Sequence, residues 1–92
     1  MSPVVLIVED DVLRRLSMAA ALRREGFEVF EAADAREAMT VLDTIAIDVL
    51  FSDLSLTGSG ELWRWVEQRQ LPLRMLMTAY AESQQSAKLL QQ

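Results

Sequence analysis

Four short apolar runs, separated by stretches with helical spacing, constrain this chain more than any other feature. Residues 4–8, Val4-Val5-Leu6-Ile7-Val8, form an unbroken run rich in β-branched side chains, the pattern of a strand buried on both faces. Residues 11–25 then change period, with Leu13, Leu16, Ala20 and Leu22 read as the inner stripe of a helix and Arg14, Arg15, Arg23 and Arg24 as largely outside. Gly26 is the expected left-handed residue that stops this helix. The alternation in 27–31, Phe27-Glu28-Val29-Phe30-Glu31, predicts a less covered strand at a sheet edge.

The same order repeats. Asp34, with Glu37 three residues later, is an N-cap with a capping-box partner for a helix running to about Thr44, which buries Ala38, Val41 and Leu42. Residues 48–52 predict a third strand, and 54–60 a turn with two glycines. A third helix is expected over 61–69 with Leu62, Trp63 and Val66 on its apolar stripe and Trp65 off it, then a fourth strand over 73–77. Residues 82–92 are polar and helix-favouring. Strands alternating with helices predict an α/β fold with a doubly wound parallel sheet and right-handed crossovers.

At 92 residues and 51% hydrophobic content, one domain spanning 1–92 is expected. No apolar run is long enough to span a bilayer and no leader is readable, so the expected compartment is the cytoplasm, with no membrane partner. The chain has no Cys and no His, which excludes disulfides, thiolate chemistry and imidazole ligands. A net charge of −5 without a basic patch argues against direct nucleic-acid binding.

In open parallel sheets, ligands bind beyond the carboxyl ends of the strands. That is where Glu9-Asp10-Asp11, Asp53 and Thr78 fall. Taken singly, each reads as a helix cap, a turn residue or a strand-end hydroxyl. Together they place oxygen groups from three segments at one end of a sheet, with no basic residue in those segments to neutralise them. Such a cluster predicts a divalent ion, and an all-oxygen donor set favours Mg²⁺ or Mn²⁺ over zinc. Neither a Walker-type loop nor a dinucleotide fingerprint is present.

Four ordered motifs carry a family resemblance. Val-Leu-Ile-Val-Glu-Asp-Asp near the amino end, the helix ending at Gly26-Phe27-Glu28-Val29, the string Asp48-Val49-Leu50-Phe51-Ser52-Asp53-Leu54-Ser55-Leu56, and Met75-Leu76-Met77-Thr78-Ala79-Tyr80 closely resemble the response-regulator receiver (CheY-like) family over nearly the whole chain. The resemblance implies a flavodoxin-like three-layer sandwich of about four βα units. It implies a two-component signalling domain, not an enzyme with its own diffusible substrate, that takes a phosphoryl group from a sensor histidine kinase or phosphotransfer protein. On it, Asp53 matches the phosphoacceptor, Glu9 and Asp10 the Mg²⁺ pair, Leu54 the metal-ligating backbone carbonyl, and Thr78 the phosphoryl-binding switch. Asp11 is left as a helix cap, and Ser55 and Tyr80 match positions that tune dephosphorylation or simply line the loop.

The chain also departs from the family pattern. Thr57 stands where a proline is usual, and the metal pair is Glu-Asp in place of Asp-Asp. A fifth strand ending in Lys-Pro is not readable. Lys88 lies either on a fourth helix or, if 87–91 is the fifth strand, near that strand's end. On this reading the receiver is incomplete at its carboxyl end, and the exposed fourth strand predicts a homodimer or domain-swapped dimer through 73–77 or Trp65. The alternative function is a degenerate receiver kept as an unphosphorylated interaction module; a small Mg²⁺-dependent phosphatase lacks a second group to activate water.

Overall fold

The computed structural model describes residues 2–53 and 58–78, with side chains described for 2–52 and 58–74. The elements are β1 (Val4–Val8), α1 (Val12–Arg24), β2 (Glu28–Ala32), α2 (Ala35–Thr44), β3 (Val49–Asp53), α3 (Ser59–Arg69) and β4 (Arg74–Thr78). Each element expected up to residue 78 is present, its ends shifted by one or two residues.

All strand pairs are parallel and their order is β2-β1-β3-β4. Strand alternation divides the core in two. Val5, Ile7, Val29, Val49 and Phe51 pack with Met18, Ala19 and Leu22 of α1. Leu6, Val8, Ala32 and Leu50 pack on the other face with Ala38 and Leu42 of α2 and Leu62 and Val66 of α3. Complete burial of side chains such as Leu6, Ile7 and Leu50 contributes about 1.5–3 kcal/mol each before conformational entropy is subtracted.

The helices lie on opposite faces because the chain moves outward from β1 to β2 and then back across β1 to β3. Right-handed crossovers in opposite directions require opposite sides of the sheet. This is the flavodoxin-like, doubly wound three-layer arrangement, and its strand order reverses between β1 and β3, the place at whose carboxyl ends sheets of this kind bind ligands. As expected, β2 is an edge strand.

Caps hold the helix ends. Asp11 accepts the Arg14 N–H at 2.9 Å and Asp34 the Glu37 N–H at 2.8 Å, while Glu37 reaches back to the Ala33 N–H at 2.7 Å. Gly26, at φ +94°, closes α1 in the left-handed region, with its N–H and that of Phe27 on the carbonyls of Arg23 and Leu22.

Two helices are turned differently from the sequence expectation. On α1 the buried residues are Met18, Ala19 and Leu22, whereas Leu13 is 79% and Leu16 50% exposed and Ala20 is exposed. The actual inner line is Arg15, Met18, Ala19 and Leu22, so an arginine takes the place assigned to a leucine. On α3 the two tryptophans exchange places. Trp65 packs against the core and carries the Arg69 guanidinium 3.9 Å from its ring centroid, while Trp63 is exposed. The spacing Leu62, Trp65, Val66, Arg69 follows the i, i+3, i+4, i+7 rule, which Trp63 does not.

No described helix is long and apolar enough to cross a membrane. Among the described residues β4 is the outer strand, but the helix or strand expected within 82–92, with Lys88, and the positions of Leu54, Ser55 and Tyr80 lie outside the described residues. The expectation of a dimer along 73–77 rests on what borders β4 there, and so lies outside them too.

Candidate functional site

The sheet register builds the site. Val8 pairs with Ser52, and Asp53 pairs with Thr78. One residue beyond the Val8–Ser52 pair stand Glu9 and Asp53, so Glu9, Asp53 and Thr78 occupy adjacent chain positions across three strands set about 4.8 Å apart. All three lie at the carboxyl edge, beside the reversal of strand order. Asp10 follows Glu9 on the loop into α1 and is exposed.

Glu9 is 1% exposed and is held at every polar group of its backbone. Its N–H donates to the Ala32 carbonyl at 3.0 Å, and its carbonyl accepts Arg15 Nη1 at 2.9 Å. Its Oε2 accepts the Asp11 N–H at 3.0 Å, and Arg14 Nη1 lies 4.0 Å from Oε1. A carboxylate this deep requires such partners, because an isolated buried charge is expensive.

These contacts correct one sequence expectation. The strand-end acids do have basic neighbours, supplied by the first turn of α1. Both Arg14 and Arg15 are partly buried and reach back over the loop that precedes their helix, as helical side chains do. Arg15 was legible in principle, lying one turn after the Asp11 cap on the line continued by Met18 and Leu22. Glu31 was missed as well. It alternates with Val29 on the face of β2 that meets α1, and it pairs with Arg15 at 3.4 Å and Arg23 at 3.3 Å.

The donor set at this edge fits a hard divalent cation. Glu9 and Asp10 are consecutive oxygen donors, one fixed and one exposed, and the backbone brings Asp53 next to them. Among the described residues no three acidic, His or Cys side chains form a metal-sized group. The Asp53 side chain and the Leu54 carbonyl, which complete the expected donor set, and the side chain of the expected switch Thr78 lie outside what is described. Ser52, just before Asp53, has a buried hydroxyl with no hydrogen-bond partner among the described residues.

Comparison with known proteins identifies the family. A family model for the response regulator receiver domain matches residues 5–92. Aerobic respiration control protein ArcA of Escherichia coli (strain K12) is 34% identical over 61 residues, 66% of this chain but only 26% of ArcA. The response regulator receiver domain protein (CheY-like) from Methanospirillum hungatei JF-1 is similar in fold, with a TM-score of 0.79 at 22% identity over 95% of this chain and 76% of that one. Another neighbour in fold is a co-crystal of the Saccharomyces cerevisiae histidine phosphotransfer signaling protein Ypd1 with the receiver domain of its downstream response regulator Ssk1 (TM-score 0.71, 21% identity, 83% and 62% covered). With a 2-1-3-4 parallel sheet, acids at the β1–β3 switch point and a family match along nearly its whole length, the chain belongs to the response regulator receiver domain family.

Proposed function

We propose that this receiver accepts a phosphoryl group on Asp53 from the phosphohistidine of a partner protein in two-component signalling, with a divalent ion at Glu9 and Asp10. The observation that carries the proposal is the register that aligns Glu9, Asp53 and Thr78 across β1, β3 and β4 at the switch point. In the transfer, an Asp53 oxygen attacks phosphorus in line. The O–P bond forms as the P–N bond breaks, and the electron pair stays on the departing imidazole, which takes its proton from water. Glu9, Asp10, Asp53 and the Leu54 carbonyl would hold Mg²⁺, which when bound neutralises charge on the transferring phosphoryl oxygens. Thr78 donates its hydroxyl to a phosphoryl oxygen. The chain's own contribution is positioning and charge placement, and the donor histidine comes from the partner.

A docking face next to the site supports a protein donor. Val12, Leu13 and Leu16 of α1 are 54%, 79% and 50% exposed, an apolar strip beginning two residues after Asp10. The proposed occupant is a phosphotransfer or sensor kinase protein, in line with the Ypd1 complex formed by a receiver of similar fold. The cytoplasm is the proposed compartment for this activity.

The acceptor is tested by treating the protein with Mg²⁺ and acetyl phosphate, reducing with borohydride and mapping peptides by mass. Borohydride converts an aspartyl phosphate to the alcohol, so modification at Asp53 alone is expected. Modification at Asp10 or Asp11, or none, would contradict the assignment.

A further inference from the structure

We infer that Arg15, anchored by Glu31, is a positioning residue that sets the Glu9 peptide and with it the geometry of the Glu9–Asp10 pair for a divalent ion. The inference rests on the metal part of the reading above and adds to it residues that the reading does not use.

Glu9 is gripped from two sides by one stretch of β2. Its N–H is bonded to the carbonyl of Ala32, and its carbonyl is bonded to Arg15 Nη1 at 2.9 Å. Arg15 Nε in turn lies 3.4 Å from Glu31 Oε1, and Glu31 immediately precedes Ala32. The second Glu31 oxygen is taken by Arg23 Nη1 at 3.3 Å, and Arg23 Nη2 donates to the Val29 carbonyl at 2.9 Å. The Arg15 side chain is 17% exposed and that of Glu31 23%, so this fork is largely withdrawn from water. A planar guanidinium that meets two acceptors in different directions fixes both, which a lysine ammonium on a flexible stem does not. With the peptides on both sides of Glu9 fixed, the exposed Asp10 that follows starts from a defined position.

The plainer role, tying α1 to β2, is already filled by Arg23, which makes the same kind of contact to Glu31 without touching Glu9. Arg23 is therefore an internal control. The two roles also differ in sign at the metal. Removing a positive charge near a cation site tightens cation binding by Coulomb's law, whereas losing a positioning group weakens it. Outer-sphere partners of metal ligands are typically worth about tenfold to a hundredfold in affinity.

The test measures Mn²⁺ affinity by electron paramagnetic resonance of the free ion, together with thermal melting, on the parent chain and on Arg15→Met, Arg15→Lys and Arg23→Met. Methionine keeps the buried stem and removes the donors. We expect Arg15→Met to weaken Mn²⁺ binding about tenfold, Arg15→Lys to weaken it less, and Arg23→Met to lower the melting temperature while leaving the affinity within about twofold. If Arg15→Met fails to fold, Arg15→Lys against Arg23→Met carries the comparison. Unchanged or tighter binding in the Arg15 variants, or an equal loss in Arg23→Met, overturns the inference while leaving the parent's metal site standing. A parent that binds no Mn²⁺ overturns the metal reading and this inference together. A parent that binds Mn²⁺ with the expected pattern but takes no phosphoryl group overturns the acceptor reading alone.

Discussion

At the scale of the residue, the molecule is decided by what surrounds Glu9 and Ser52. Glu9 is buried at the end of β1 with Arg14 Nη1 4.0 Å from its Oε1, so a cation arriving at this carboxylate competes with a guanidinium. Arg14→Gln is expected to tighten Mg²⁺ binding about threefold, the size of a partly exposed ion pair, read by titration calorimetry; weaker binding would show that Arg14 supports the site. Ser52 buries a hydroxyl without a partner among the described residues. Ser52→Ala is expected to raise stability by about 1 kcal/mol, seen as a higher denaturant midpoint at unchanged slope. The acids were legible in the sequence because they end apolar runs, which fixes them at a strand terminus whatever the details. Arg14 and Glu31 were not, and Arg15 only through its spacing from the Asp11 cap, because a long side chain's destination depends on the phase of its helix or strand.

At the scale of the element, that phase is the quantity the sequence left open. In α1, leucines and alanines occur around much of the helix, and the choice between a Leu13–Leu16 face and a Met18–Leu22 face falls to the sheet beneath. Arg15 turns toward that sheet, its guanidinium on the Glu9 carbonyl and the Glu31 carboxylate, and Leu13 and Leu16 are left outside. Elements with a cap in the sequence were read more closely, since Asp34 and Glu37 mark the start of α2 by hydrogen bonds that need no tertiary context. Asp34→Ala is expected to cost about 1 kcal/mol, measured by chemical denaturation. Gly58 marks the start of α3 differently, at φ +88°, where an added Cβ would stand 3.3 Å from Ala35 Cβ. Gly58→Ala is expected to cost about 1–2 kcal/mol, and a variant as stable as the parent would contradict the left-handed turn that leads from β3 into α3.

At the scale of the whole molecule, the alternation of strands and helices was enough to give a parallel doubly wound sheet, because crossover handedness and short connections leave few other arrangements. The placement of the acids at the switch point followed from that topology. What did not follow was the surface. Leu13 and Leu16 were assigned to the core, and the structure turns them outward together with Val12. Leu13→Glu with Leu16→Glu is expected to slow phosphotransfer from a phosphohistidine protein at least tenfold while leaving labelling by acetyl phosphate unchanged; equal loss with both donors would point to damage at the site itself. The central claim is that Asp53 is the acceptor and that a divalent ion is needed. Intact mass after incubation with acetyl phosphate, with Mg²⁺ or with EDTA, for the parent and for Asp53→Asn, tests it most directly. One labile phosphoryl adduct is expected on the parent with Mg²⁺, and none with EDTA or in Asp53→Asn. An adduct that persists in Asp53→Asn, or a parent that stays unmodified with Mg²⁺, would contradict it.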